Sequence, residues 1–185
     1  MGDQASLHMG MFREVKVRVG TMLRPMQDGD GKDLLEIMDR DPNIRERVTV
    51  AANMPDFEGV KKQVAAYKND PALIRYVIVQ NGEISGLVSL WRDEGFFGQP
   101  PLPYTYGFGF FVDPKKRGQH LAADAIMALM SEMEEYYRVD TFIAFCENDN
   151  PASQAVLKRV GMTPTEQHFA EPTHDWTEYM WRKDL

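Results

Sequence analysis

The run Val112-Asp113-Pro114-Lys115-Lys116-Arg117-Gly118-Gln119-His120-Leu121-Ala122 sets three consecutive cations just before a segment of helical periodicity. The first turn of a helix leaves backbone N–H groups without intrahelical partners, and its dipole favours negative charge there. Basic side chains feeding such a terminus suit a pyrophosphate; the other reading of the same residues is a solvated basic turn. Cys146, the one cysteine of the chain, ends the apolar run Thr141 to Cys146. A lone cysteine in that setting reads as core before it reads as a nucleophile. Between Asp93 and Pro103, glycines and prolines are interspersed with Phe96 and Phe97. Such a loop is either a packed surface loop or one wall of a substrate pocket.

The elements that must position these residues follow from periodicity and turn chemistry. Val15, Val17 and Val19 alternate with polar residues, and the pattern predicts one strand continuing to Arg24 and ended by Pro25. Asp30 is expected to cap a helix through Leu34, Leu35, Ile37 and Met38, stopped at Asp41-Pro42, and a second helix is expected from about Asp56 to Lys68. Residues 43–55 show no decodable pattern. Asn81-Gly82 joins Arg75–Gln80 to Glu83–Trp91 as an antiparallel hairpin, since both turn positions tolerate positive φ. A strand from Tyr104 to Val112, a helix from Gln119 to Tyr137, the Thr141–Cys146 strand and a helix from about Pro151 to Val160 follow. Two strands, Thr163 to Phe169 and Trp176 to Arg182, close the chain. The order β-α-α-β-β-β-α-β-α-β-β gives an α/β fold with about seven strands and about four helices.

The 185 residues suffice for one domain with a full core, expected over 13–185, with the unpatterned residues 1–12 outside it. One cysteine excludes an internal disulfide and a multi-cysteine zinc cage, and no metal site is expected. Among the 12 methionines, Met127, Met130 and Met133 fall at helical spacing and read as core filler. No apolar run approaches the ~18–20 residues that cross a bilayer, so no membrane role and a cytoplasmic location are expected. With 28 acidic against 21 basic side chains, the net charge of −7 disfavours nucleic acid and favours a cationic small-molecule or peptide partner.

The basic run and a second segment together carry a family resemblance. Val112 to Ala122 resembles the acetyl-CoA-binding signature of the GNAT superfamily of N-acetyltransferases: Gln or Arg, two residues, Gly, one residue, then Gly or Ala. Arg117, Gly118, Leu121 and Ala122 agree with it, and His120 stands where the family has glycine. Glu147-Asn148-Asp149-Asn150-Pro151-Ala152-Ser153 through Gly161-Met162 resembles the later GNAT motif, in which an Asn opens a helix closing on Gly-Phe. It is most similar to the branch of ribosomal-protein N-terminal (RimL-like) acetyltransferases.

The resemblance implies a GNAT fold, with a mixed, mostly antiparallel sheet whose fourth and fifth predicted strands splay to admit pantetheine. It implies acetyl-CoA as cosubstrate, held by Phe110, Phe111 and Val112 along the pantetheine and by Arg117, Gly118, Gln119, His120, Leu121 and Ala122 at the pyrophosphate, with Asn150 and Ser153 near the acetyl end. Ser153 is the implied acid, because Leu157 stands where many relatives have a tyrosine. The base is open among Glu147, His168, His174 and a water held by Tyr104 or Tyr106, since Gly107 occupies the position of that branch's glutamate. The implied activity is direct acetyl transfer to a primary amine. The alternative is a CoA-binding sensor or interaction module without turnover. A homodimer agrees with the fold family, although no residue marks an interface.

Overall fold

The computed structural model describes residues 13–70, 72–95, 102–171 and 174–183. Its centre is an eight-stranded sheet of order β1-β2-β3-β4-β5-β6-β8-β7: β1 Val15–Arg18, β2 Thr21–Pro25, β3 Leu73–Gln80, β4 Glu83–Arg92, β5 Thr105–Val112, β6 Thr141–Glu147, β7 Thr163–Glu171 and β8 His174–Arg182. Every neighbouring pair is antiparallel except β5 and β6. The helices are α1 Gly31–Asp39, α2 Asn43–Arg47, α3 Thr49–Ala52, α4 Phe57–Asn69, α5 Leu121–Tyr137 and α6 Pro151–Arg159.

The first predicted strand is in fact two. The chain reverses at Val19-Gly20, where Gly20 has φ 73°, and β1 folds back on β2 with Val15 opposite Leu23. Alternation alone carries no mark of a reversal, because both arms of a hairpin keep a period of two. The Asn81-Gly82 turn forms as expected, with φ 52° and 83°. Asp56 caps α4 by accepting from the Gly59 N–H at 2.8 Å. Asp30 stands at the N-cap of α1 without capping it. Its carboxylate turns back to accept from Arg24 Nη1 and Nη2 at 2.8 and 2.7 Å and from the Gln27 N–H at 2.8 Å. The segment without a pattern, 43–55, forms α2 and α3, each too short to show a helical repeat.

The sheet has a buried layer on each face. Ile74, Tyr76, Val88, Leu90, Tyr106 and Phe108 pack with α5 and α6 through Leu121, Ile126, Leu129 and Leu157. Val77, Leu87 and Phe111 pack with α1, α3 and α4 through Leu34, Ile37, Val50, Val60 and Val64. Two covered faces make a rigid floor for whatever the strand ends carry. Among the described residues, no helix is long and apolar enough to cross a membrane.

Candidate active site

The site begins where the sheet comes apart. Parallel β5 and β6 pair only through Thr105↔Thr141, Tyr106↔Phe142 and Gly107↔Ile143, after which β5 runs on to Val112 and β6 to Glu147. Past Gly107 the strand partner of β5 is β4 alone, so its backbone groups facing β6 are available to an inserted extended molecule. A cavity of about 1280 Å³ opens at this gap, reaching from Arg75, Ser89 and Trp91 past Phe110, Phe111 and Val112 to Gly118, His120, Leu121 and Ala122.

Asp113 shapes the turn at one end of the cavity. Its carboxylate accepts from the Lys115 N–H at 3.0 Å and from Arg40 Nη1 at 2.8 Å, starting a single 3-10 turn over Pro114–Lys116. Gly118 then has φ 78°, and His120, the residue before α5, has φ 59° and ψ 14°. The family's preference for glycine at position 120 thus has a backbone cause, the left-handed region, which histidine enters more readily than most L-residues. The exposed His120 side chain makes no capping bond to α5.

The basic run is largely neutralised by its own fold. Lys116 Nζ donates to Glu83 Oε2 at 3.0 Å and Ser85 Oγ at 2.9 Å, and Arg117 pairs with Asp41 at 2.7 Å. Asn43 and Arg117 hydrogen bonds hold the Asp41 carboxyl below the usual range, against its partial desolvation. The fold thus pairs two of the three cations, while exposed Lys115, the backbone N–H groups and the dipole of α5 stay directed to the turn.

At the other lip, Asn150 Oδ1 accepts from the Ser153 N–H at 3.1 Å and caps α6. Ser153 faces the cavity near Cys146, whose thiol donates to the Glu147 and Asn150 carbonyls at 3.5 and 3.8 Å. Burial pushes the Cys146 thiol up, with the Ser153 contact acting the other way. A thiol kept protonated is a poor nucleophile, in agreement with the core reading. Glu147, at the end of β6, is 9% exposed, and its Oε2 meets Arg47 Nη1 at 2.7 Å. The same guanidinium reaches both Asp149 carboxylate oxygens, at 2.7 and 3.1 Å, and so ties α2 to the β6–α6 turn.

Several expected residues lie elsewhere. Tyr106 precedes the split and is buried beneath α5, away from the cavity. Gln119 also turns aside, its Oε1 accepting from Gln80 Nε2 at 3.3 Å. Tyr104 is 65% exposed, and exposed His168 has Nδ1 at 3.0 Å from the Thr177 hydroxyl, both outside the cavity lining. Phe96, Phe97 and the His174 side chain lie outside the described residues. At Gly107 a Cβ would stand 2.3 Å from Trp91 Nε1, so the indole occupies the space a glutamate there would need. Sequence reasoning missed Arg47, Arg75, Trp91 and Trp176, all of which line the cavity. Only Arg75 carried a signal, a charge within an otherwise apolar strand.

Residues 21–163 match the sequence profile of the acetyltransferase (GNAT) domain. The chain belongs to the GNAT family. It is 29% identical over 86 residues to the ribosomal-protein-serine acetyltransferase of Escherichia coli (strain K12), an alignment spanning 46% of this chain and 45% of that relative. A RimL ribosomal L7/L12 alpha-N-protein acetyltransferase solved with coenzyme A superposes with a TM-score of 0.78 at 18% identity, covering 93% of this GNAT chain and 99% of the other. The microcin C7 self-immunity acetyltransferase MccE, solved with acetyl-CoA and AMP, gives 0.76 at 19% identity over 90% of this chain and 94% of its own. At such identities the superpositions establish the GNAT fold.

Proposed function

We propose that this GNAT domain transfers an acetyl group from acetyl-CoA to a primary amine by direct attack in a ternary complex. The observation that carries the reading is the separation of β5 from β6 after Gly107, which opens a strand-lined slot ending at the left-handed turn before α5. In this reading the amides of pantetheine pair with the β5 backbone near Phe110, Phe111 and Val112. The pyrophosphate meets the N–H groups of Gly118 to Ala122, with the Arg117–Asp41 pair bracing the turn. The thioester then lies between Val112 and the capped start of α6. An N–H of β5 near Val112 stabilises the tetrahedral oxyanion.

Three proton events complete the transfer. A lysine-like amine has a pKa of ~10.4, so its proton must leave before attack. Glu147, at the cavity wall, is the proposed acceptor of that proton, with Arg47 fixing its orientation. The amine nitrogen forms a bond to the acetyl carbon, the C–S bond breaks, the Ser153 hydroxyl donates to the departing thiolate, and the surplus proton on the new amide nitrogen passes to the Ser153 oxygen and restores its hydroxyl. The acceptor is a peptide or small-molecule amine that enters as an ammonium ion, and the proposed location is the cytoplasm. A free-thiol release assay across an amine panel tests the function. Acetyl-CoA alone should raise the melting temperature, by about 2.7 kcal/mol of stabilisation at a hundredfold excess over its Kd. That shift without thiol release from any amine would instead identify a CoA-binding module.

A further inference from the structure

Arg75 is a charge in an unusual place. It lies on β3, is 7% exposed, and belongs to the cavity wall formed with Ser89, Trp91 and α3. Its Nη1 donates to the Ile74 and Leu90 carbonyls at 3.1 and 3.3 Å, while its buried Nε has no hydrogen-bond partner. Among the described residues no carboxylate stands within ion-pair distance of it. The segment 96–101, Phe-Phe-Gly-Gln-Pro-Pro, contains no acidic residue that could supply one. Burial lowers its pKa to about 10, with the more distant Asp70 acting the other way, so at neutral pH it remains a cation largely stripped of solvation and, among the described residues, without a carboxylate in contact.

Register locates this cation relative to the chemistry. Arg75 pairs with Ser89, and Ser89 with Gly109, so the three form a row across the sheet facing the cavity. The row crosses β5 three residues before Val112, about 10 Å along the strand, and Arg75 stands two strands, also about 10 Å, to the side. It is therefore at the end of the cavity remote from the pyrophosphate turn, where an acceptor would enter. A guanidinium edge left unused by the sheet matches the two oxygens of a carboxylate.

We propose that Arg75 binds a carboxylate carried by the acceptor about four extended residues from its reacting amine, making the acceptor class an amino-carboxylate such as a short peptide with an acidic group. Ser89, on the same row, adds a hydroxyl for the same anion. This rests on the acetyltransferase reading for the identity of the cavity, and the test separates the two.

Matched tetrapeptides with a free C-terminal carboxylate or a C-terminal carboxamide are compared by thiol release. The expected result is a tenfold to hundredfold preference for the acid in kcat/KM, arising in KM. Arg75→Met, similar in length but uncharged, should bring the acid down to the level of the amide while leaving acetyl-CoA affinity unchanged. Equal use of acid and amide by the unaltered protein overturns the inference, whether or not the variant folds. So does an acid preference that survives in Arg75→Met. If neither peptide releases thiol, tryptophan fluorescence is titrated with the N-acetylated acid and amide in the presence of CoA. Tighter binding of the acid sustains the carboxylate site while the transfer reading fails; equal binding, or none, overturns the site.

Discussion

Ser153 sits where two local constraints meet: its N–H is taken by the Asn150 cap, and its side chain faces the cavity. The cap belongs to the backbone and survives loss of the hydroxyl, so Ser153→Ala should leave α6 and acetyl-CoA affinity intact. Turnover should fall on the order of 10²-fold or more if the hydroxyl protonates the leaving thiolate. Calorimetric titration with acetyl-CoA beside steady-state thiol release checks both halves, and undiminished turnover removes Ser153 from the chemistry. His120 poses the opposite case, a side chain whose backbone position is what matters. With φ 59° and no capping bond, it gives the turn nothing that glycine would not. His120→Gly should therefore keep or tighten CoA binding and change stability by at most about 1 kcal/mol, relief of left-handed strain offsetting the added freedom of the unfolded chain. A tenfold loss of CoA affinity would mean that the imidazole itself contacts the cofactor.

At the scale of elements, β4 and β5 show why one motif position departs from the family. Trp91 and Gly107 are register partners, and the indole fills the space above the glycine. Gly107→Ala should force the ring off its site and cost about 1–3 kcal/mol. In the Trp91→Ala background the same change should cost much less, because the two share one contact. Chemical denaturation of the two single variants and the double variant measures this, and additive losses would refute the steric account. The pair also marks the limit of sequence reading. Asn81-Gly82, the α5 pattern and the Asn150 cap were legible because their signals are local, a dipeptide or a repeat of three and four. Trp91 over Gly107, Arg47 beside Glu147 and the unpaired Arg75 depend on strand register and on two helices of one turn each, which no local pattern encodes. The pairing of the basic run was hidden in the same way. Its charges are visible in sequence, but Glu83 and Asp41, which neutralise two of them, arrive from distant segments.

For the whole molecule, the titrating groups most displaced by folding lie at the alkaline end. Burial raises the phenols of Tyr67, Tyr76, Tyr137 and Tyr179, in each case as the largest cause. A phenol raised in the folded state is neutral there while its unfolded counterpart ionises near pH 10. Its stabilisation is complete below pH 10 and is lost as pH climbs through the folded pKa. Arg75 acts in the reverse sense. Lowered to about 10, it sheds its proton in the folded protein before the unfolded chain does, and so adds stability as the pH rises above about 10. One guanidinium against four phenols leaves the balance unfavourable. The melting temperature should hold between about pH 7 and 9 and fall above pH 10, with phenolate absorbance from these buried rings rising in step with loss of the helical circular dichroism signal. Ionisation of those rings while the helical signal stays intact would show that they reach solvent without unfolding. Arg75→Met should make the alkaline fall steeper, since it removes a group that opposes it.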